Sequence, residues 1–215
     1  AAAQDFKRIG DGDLGPNTGG MGSYSPVPRL AAGEAEELVE QVCRPVVGEL
    51  ARRGTPFVGV LFAGLMLTAS GPRVLEFNCR FGDPETQSLL PRIDGDLVEA
   101  LQAAAAGDLS GVEIGTLPDA AVTVVVAAPG YPERSDHGTP IDGVEEAEAL
   151  GALVFHAGTA LHGDQLVTGG GRILAVTGTG ETIAAARSLA YDACSRLTFA
   201  GARYRTDIAL AAATL

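Results

Sequence analysis

Basic residues are scarce in this chain: 15 Lys and Arg stand against 27 Asp and Glu, for a net charge of −12 at pH 7. That imbalance argues against a broad nucleic-acid surface, because a polyanion is repelled unless a local basic patch intervenes. Any phosphate site must therefore be local, and Lys7 with Arg8 is the adjacent basic pair near the glycine-rich N-terminal stretch. Cysteine is equally sparse, with Cys43, Cys79 and Cys194 odd in number and without a CxxC pair. They read as free thiols in a reducing cytoplasm. The three histidines, His137, His156 and His162, lack zinc-ligand spacing, and no Ser-His-Asp order can be assembled. The longest apolar runs, Phe57 to Ala69 and Ala120 to Ala128, contain glycine or fall short of a membrane span. No signal peptide, internal repeat or low-complexity block stands out.

What is present is a 215-residue chain with 46% hydrophobic residues, enough for one large or two small domains. Its most informative stretch is Leu75 to Thr86, where an apolar segment runs into a dense row of charged and amide groups. If Val74 to Phe81 is extended, the two-residue side-chain period puts Glu76, Asn78 and Arg80 on one face and Phe77, Cys79 and Phe81 on the other. One face then packs while the other is free for chemistry. A carboxylate and an amide carbonyl in one small volume are hard oxygen ligands, suited to magnesium held jointly with nucleotide phosphates. Arg80 would bring a permanent positive charge to a carboxylate or a transferring phosphoryl group. A solvated edge strand carrying an ordinary Glu and Arg pair fits the same pattern. Gly82, Asp83 and Pro84 break the strand, so Asp83 and Glu85 emerge beside its end, to orient an amine or to cap a helix.

Glycine at 10, 12, 15, 19, 20 and 22 makes Asp5 to Gly22 a long loop, mobile or built to wrap an anion with its N–H groups. It is not a P-loop, since no Gly-Lys-Ser/Thr follows. Ala32 to Arg53 has apolar residues at helical spacing, acidic residues early and basic residues late, with Pro45 expected to kink it. Phe57 to Ala69 and Arg73 to Cys79 form an expected hairpin, which puts the Glu76 strand beside a well-buried partner. Glu85 to Ile93 and Asp96 to Ala106 look helical, with Asp96 as N-cap of the second. After a polar stretch at Gly107 to Pro118, strands are expected at Ala121 to Ala128, Ala152 to His156, Gln165 to Thr168 and Arg172 to Thr177, then a helix from Glu181 to Leu197. Gly169 to Arg172 reads as a turn or as a place where a ligand approaches.

Three blocks carry a resemblance: Gln4 to Arg8, Gly15 to Gly22, and Glu76 to Thr86 reading Glu-Phe-Asn-Cys-Arg-Phe-Gly-Asp-Pro-Glu-Thr. With Phe155 to Thr159 and Gly170 to Arg172, they make the chain similar to the phosphoribosylamine–glycine ligases, an ATP-grasp family of purine biosynthesis. The resemblance implies an α/β (α+β) fold: residues 1–115 as the C-terminal part of an ATP-grasp catalytic domain with an antiparallel sheet, and 116–215 as a small mixed C-terminal domain. It implies that ATP, glycine and 5-phosphoribosylamine become glycinamide ribonucleotide, ADP and phosphate through glycyl phosphate, in the cytoplasm, without nucleic acid or membrane. Glu76 and Asn78 would ligate Mg2+ or Mn2+, and Arg80 would be catalytic. Lys7, Arg8, Asn17, Thr18, Gly19 and Gly20 would hold substrate or phosphate, with Asp83 and Glu85 facing the amine. Phe6 and Leu14 depart from the polar residues common in the family. The adenine-binding and clamp residues are expected in an N-terminal part that this sequence does not contain.

Overall fold

Glycine punctuates the N-terminal stretch without leaving it irregular. Gly12, Gly15, Gly20 and Gly22 adopt positive φ, and the stretch that holds them forms β1 (Gln4–Asp5), β2 (Arg8–Gly10), β3 (Leu14–Asn17) and β4 (Gly22–Ser25). The expected long loop is thus a chain of short strands, because each glycine supplies a turn conformation that other residues adopt at a cost. The elements that follow are α1 (Glu34–Arg52), β5 (Phe62–Thr68), β6 (Gly71–Asn78), α2 (Glu85–Leu89), β7 (Ile93–Asp94), α3 (Leu97–Ala106), β8 (Gly115–Thr116) and β9 (Ala120–Ala127). Then come β10 (Asp136–Pro140), α4 (Val144–Glu148), β11 (Leu153–His156), β12 (Thr159–His162), β13 (Gln165–Gly170), β14 (Arg172–Gly180) and α5 (Ile183–Cys194). This computed structural model describes residues 1–215, which divide into two compact units. It mixes helices with antiparallel sheets, as the α/β (α+β) expectation required.

The first unit comprises Ala1, Arg29–Gly82 and Ile93–Leu117. In it α1 continues through Pro45, α3 is capped by Asp96 Oδ1 accepting from Val98 N at 2.8 Å and Glu99 N at 3.0 Å, and β7 pairs with β8. The antiparallel β5–β6 hairpin forms as expected, but β5 is not well buried: Phe62 to Leu65 are half-buried and Met66 to Thr68 exposed. Phe77 and Phe81 are also exposed, at 38% and 40%, so the expected packed face of β6 is open. Within this unit the hairpin is a two-stranded sheet, and two strands alone cannot cover their own apolar face.

The second unit comprises Ala2–Pro28, Asp83–Arg92 and Pro118–Leu215. Its centre is a five-stranded antiparallel sheet in the order β1-β4-β9-β14-β11. β9 is buried at every residue, matching an uninterrupted apolar run rather than an alternating one. α5 covers β9 and β14, capped by Thr182 Oγ1 accepting from Ala185 N at 3.1 Å. A Cβ at Gly178 would lie 2.2 Å from Ala186 O, so only glycine lets helix and strand approach this closely. Val122, Val124, Val126, Ile173, Leu174 and Val176 fill the core, each contributing about 1.5–3 kcal/mol relative to exposure. A second sheet, β10-β13-β12, and the β2-β3 ribbon complete the unit.

The expected cut between 115 and 116 lies close to the Leu117–Pro118 junction, but residues 2–28 and 83–92 belong with the C-terminal stretch. Backbone pairing explains this: β1 and β4 extend the sheet from β9, and Arg92, buried to 6% exposure, donates to Ser25 Oγ and to the Asp119 carbonyl.

Candidate functional site

In the first unit the candidate ligands lie at the end of β6. Glu76 pairs across the hairpin with Gly64 and Asn78 with Phe62, beyond a bulge opposite Gly64 and Leu65, so both follow the same alternation and share a face. The glycine matters here: a Cβ at position 64 would sit 3.2 Å from Glu76 Cγ. The Glu76 carboxylate is exposed and engages no hydrogen bond or ion pair. Asn78 is half-buried, and its Nδ2 is buried without a partner, leaving the side-chain amide with unmet bonding capacity. No group of three or more His, Cys, Asp or Glu side chains is placed to hold a metal by itself. One carboxylate and one amide oxygen, both uncommitted, fit a hard divalent cation whose remaining ligands come from phosphates and water.

Arg80 departs from expectation. β6 ends at Asn78, so the strand alternation does not reach Arg80, whose Nη1 donates to the Phe81 carbonyl at 2.8 Å from an exposed bend.

In the second unit the structure gathers Lys7, Thr18, Gly19, Gly20, Asp83 and Glu85. Lys7 Nζ is paired with the Asp5 carboxylate and stands 3.8 Å from Glu85 Oε1. Glu85 is only 5% exposed, and burial pushes its carboxyl above the ordinary range, with the Asp5 charge adding to the effect and Lys7 opposing it. Thr18 donates from N and Oγ1 to the Lys7 carbonyl at 2.7 and 2.8 Å, and its Oγ1 accepts from Gly20 N at 2.9 Å. Gly20 has φ 120°, and a Cβ there would lie 2.4 Å from Pro84 Cδ. No side chain fits.

Arg172 holds this cluster together and was not singled out by the sequence. Its Nη1 donates to the carbonyls of Gly19, Gly20 and Asp83 at 3.2, 3.4 and 3.1 Å, and its Nη2 to Asp83 Oδ2 at 3.1 Å. Tyr131 OH accepts from Gly19 N at 2.8 Å. The readable signal was the glycine run before Arg172, which marks a close backbone approach. Arg8 and Asn17 lie opposite each other on the β2–β3 ribbon, where Arg8 Nη1 donates to the Gly15 carbonyl at 2.7 Å and Asn17 is exposed. That arginine braces the ribbon.

Arg205, 2% exposed, is the other residue that sequence reasoning missed. It donates to Asp207 through Nε and Nη2 at 2.7 Å each, and through Nη1 to Asp13 Oδ1 at 2.8 Å and the Arg8 carbonyl at 3.1 Å. Its guanidinium lies 4.9 Å from the Phe6 ring centroid, so Phe6 carries a cation–π contact in place of a polar one.

The fold, with its antiparallel sheets and flanking helices, is of the ATP-grasp and C-domain kind that the comparisons with known proteins identify. The model described as Phosphoribosylglycinamide synthetase, ATP-grasp (A) domain matches residues 1–86, and the one described as Phosphoribosylglycinamide synthetase, C domain matches 121–211. The chain belongs to the phosphoribosylamine–glycine ligase family. It is 51% identical over 215 residues to the ligase of Streptomyces coelicolor, covering 98% of this chain and 52% of that protein. The chloroplastic ligase of Arabidopsis thaliana is 47% identical over 212 residues, covering 96% and 40%. The crystal structure of phosphoribosylamine–glycine ligase from Thermotoga maritima superimposes with a TM-score of 0.85 at 38% identity, over 96% of this chain and 50% of that one. N5-carboxyaminoimidazole ribonucleotide synthetase from the same organism, at 18% identity and TM-score 0.56, shares the fold alone. The chain spans about half the length of the Streptomyces coelicolor relative. No helix is long and apolar enough to cross a membrane.

Proposed function

We propose that this chain supplies the metal-bearing strand and a substrate-binding cluster of an enzyme that joins glycine to 5-phosphoribosylamine. The glycine carboxylate attacks the γ-phosphorus of ATP, forming the acyl–phosphate bond as the bond to ADP breaks. The amine nitrogen then attacks the glycyl carbonyl carbon, phosphate leaves, and the nitrogen gives up one proton, yielding glycinamide ribonucleotide. The observation that carries this reading is the Glu76–Asn78 pair, a carboxylate and a side-chain amide on one strand face, neither engaged in a hydrogen bond or ion pair.

Glu76 and Asn78 would hold Mg2+ or Mn2+, which when bound neutralises phosphate charge during transfer. Arg80 carries a fixed positive charge next along the chain from these donors and would act on the transferring group. Lys7, Arg8 and the Asn17 to Gly20 segment would bind substrate, the ammonium and guanidinium being suited to an anion, while Asp83 and Glu85 would face the amine. Residues outside this chain would complete the nucleotide site, because the curated relatives are about twice as long. By itself the 215-residue chain should not turn over, since phosphoryl transfer needs water excluded and both reactants aligned. Free cysteines accord with a cytoplasmic setting.

Release of ADP by the whole enzyme tests the reading. It should require glycine and rise with phosphoribosylamine; ADP release driven by a different carboxylate would contradict it.

A further inference from the structure

Four hydroxyls form a continuous chain through the core of the second unit. Ser23 on β4, Ser88 on α2, Thr123 on β9 and Thr177 on β14 are all 0% exposed. The Oγ–Oγ distances are 2.6 Å for Ser23–Ser88, 2.7 Å for Ser88–Thr123 and 2.7 Å for Thr123–Thr177. At one end Ser23 Oγ donates to the Pro84 carbonyl at 2.8 Å; at the other, Thr177 Oγ1 stands 3.2 Å from the Gln87 carbonyl. Fully buried strand positions in a run as apolar as Ala120–Ala127 would ordinarily take Val or Ala, and a buried hydroxyl is tolerated only when bonded.

Proton count and contact length together favour one direction for the chain. Its contacts are five, but each hydroxyl has one hydrogen, so four are available and one contact goes without. An arrangement running Thr177 to Thr123 to Ser88 to Ser23 to the Pro84 carbonyl gives a hydrogen to every contact of 2.8 Å or less and leaves out the 3.2 Å one. Aligned donors polarise one another, and the sum is delivered to the carbonyl between Asp83 and Glu85. The chain ends on a carbonyl, which has no proton to give and none to keep, so it is no proton wire.

We infer that this hydroxyl chain is a positioning device: Ser23, backed by Ser88 and Thr123, pins the Asp83–Pro84–Glu85 turn so that both carboxylates face substrate. The inference rests on the reading of Asp83 and Glu85 as amine-facing groups. Ser23 and Thr177 make a matched pair for testing it, since each is a fully buried terminal hydroxyl but only Ser23 touches the Pro84 carbonyl.

The test measures Ser23→Ala, Thr177→Val and Glu85→Gln. In the 215-residue chain, amide hydrogen exchange should accelerate about tenfold or more at Ser88 to Leu90 in Ser23→Ala and several-fold less in Thr177→Val, which loses the longer contact to the Gln87 carbonyl but keeps the one to Pro84. In the whole enzyme, Ser23→Ala should raise KM for phosphoribosylamine several-fold with kcat for glycine-dependent ADP formation little changed, whereas Thr177→Val should leave both near normal. Equal effects of the two on exchange and KM, or no local change in Ser23→Ala, would overturn the inference. If Glu85→Gln leaves the KM for phosphoribosylamine unaltered while Ser23→Ala still speeds local exchange, the amine-facing role of Glu85 is what fails.

Discussion

Arg172 Nη2 lies 3.1 Å from Asp83 Oδ2, yet the ion pair is the smaller part of what this guanidinium does. The Asp83 side chain is 45% exposed, so solvent screening limits the pair to about 1 kcal/mol or less. The two hydrogens of Nη1 are shared among the Gly19, Gly20 and Asp83 carbonyls, and these bonds together contribute about 2 kcal/mol. Carbonyl bracing therefore outweighs charge pairing. In urea denaturation of this chain, Arg172→Ala should lose roughly 2–4 kcal/mol, and Asp83→Asn about 1 kcal/mol or less. Arg172→Lys should resemble the alanine variant, because an ammonium cannot reproduce the planar fork.

Asp207 ties acid stability to the Arg205 clamp. The Arg205 hydrogen bond lowers the Asp207 carboxyl to about 2, below an unfolded value of about 3.9. A depressed folded pKa contributes stability that is complete above the unfolded value and lost as pH falls through the folded one. Unfolding free energy should therefore decline between about pH 4 and pH 2, and Asp207→Asn should flatten that slope while lowering stability at neutral pH. Urea titrations at successive pH values measure both.

Glu85 works in the opposite sense. Burial raises its carboxyl pKa, so the stability it contributes is present below the unfolded value, about 4.3, and is lost as pH rises through the folded one. At pH 7, where the unfolded carboxyl is ionised, burying this group costs stability, and Glu85→Gln should raise the melting temperature of the chain while impairing the ligase. A carboxylate kept at such a cost is expected where chemistry needs it. A variant that melts lower than the parent at pH 7 would count against this.

Gly178 is held by close approach. Its φ needs no glycine, but a Cβ would meet Ala186 O at 2.2 Å and Ala190 N at 2.6 Å. Gly178→Ala should destabilise the chain by about 1–3 kcal/mol or more by driving α5 off β14, measurable as a drop in denaturation midpoint at constant m.

Much of this architecture was legible from periodicity and punctuation. The run Ala121 to Ala128, the Asp96 cap and the helix before Leu197 appear where apolar spacing and capping chemistry place them. Short strands such as β10 and β12 escaped because their sequences, Asp-His-Gly-Thr-Pro and Thr-Ala-Leu-His, carry no alternation to read. Their pairing with β13 is a long-range choice. The site divides likewise. The shared strand face of Glu76 and Asn78 was legible because side-chain alternation is local, and Arg80 falls outside that alternation because the strand stops two residues before it. Arg205 was invisible, and Arg172 was marked only by the glycine run before it, because each acts on backbone far away in sequence, at Arg8 and Gly19.

Divalent-cation binding by Glu76 measures the central claim most directly. Mn2+ titrated into the whole enzyme with a non-hydrolysable ATP analogue, followed by electron paramagnetic resonance, should bind about 100-fold or more weakly in Glu76→Gln, with ligase activity falling in parallel. Unchanged Mn2+ affinity together with near-normal ligase rates at ordinary magnesium would contradict the account.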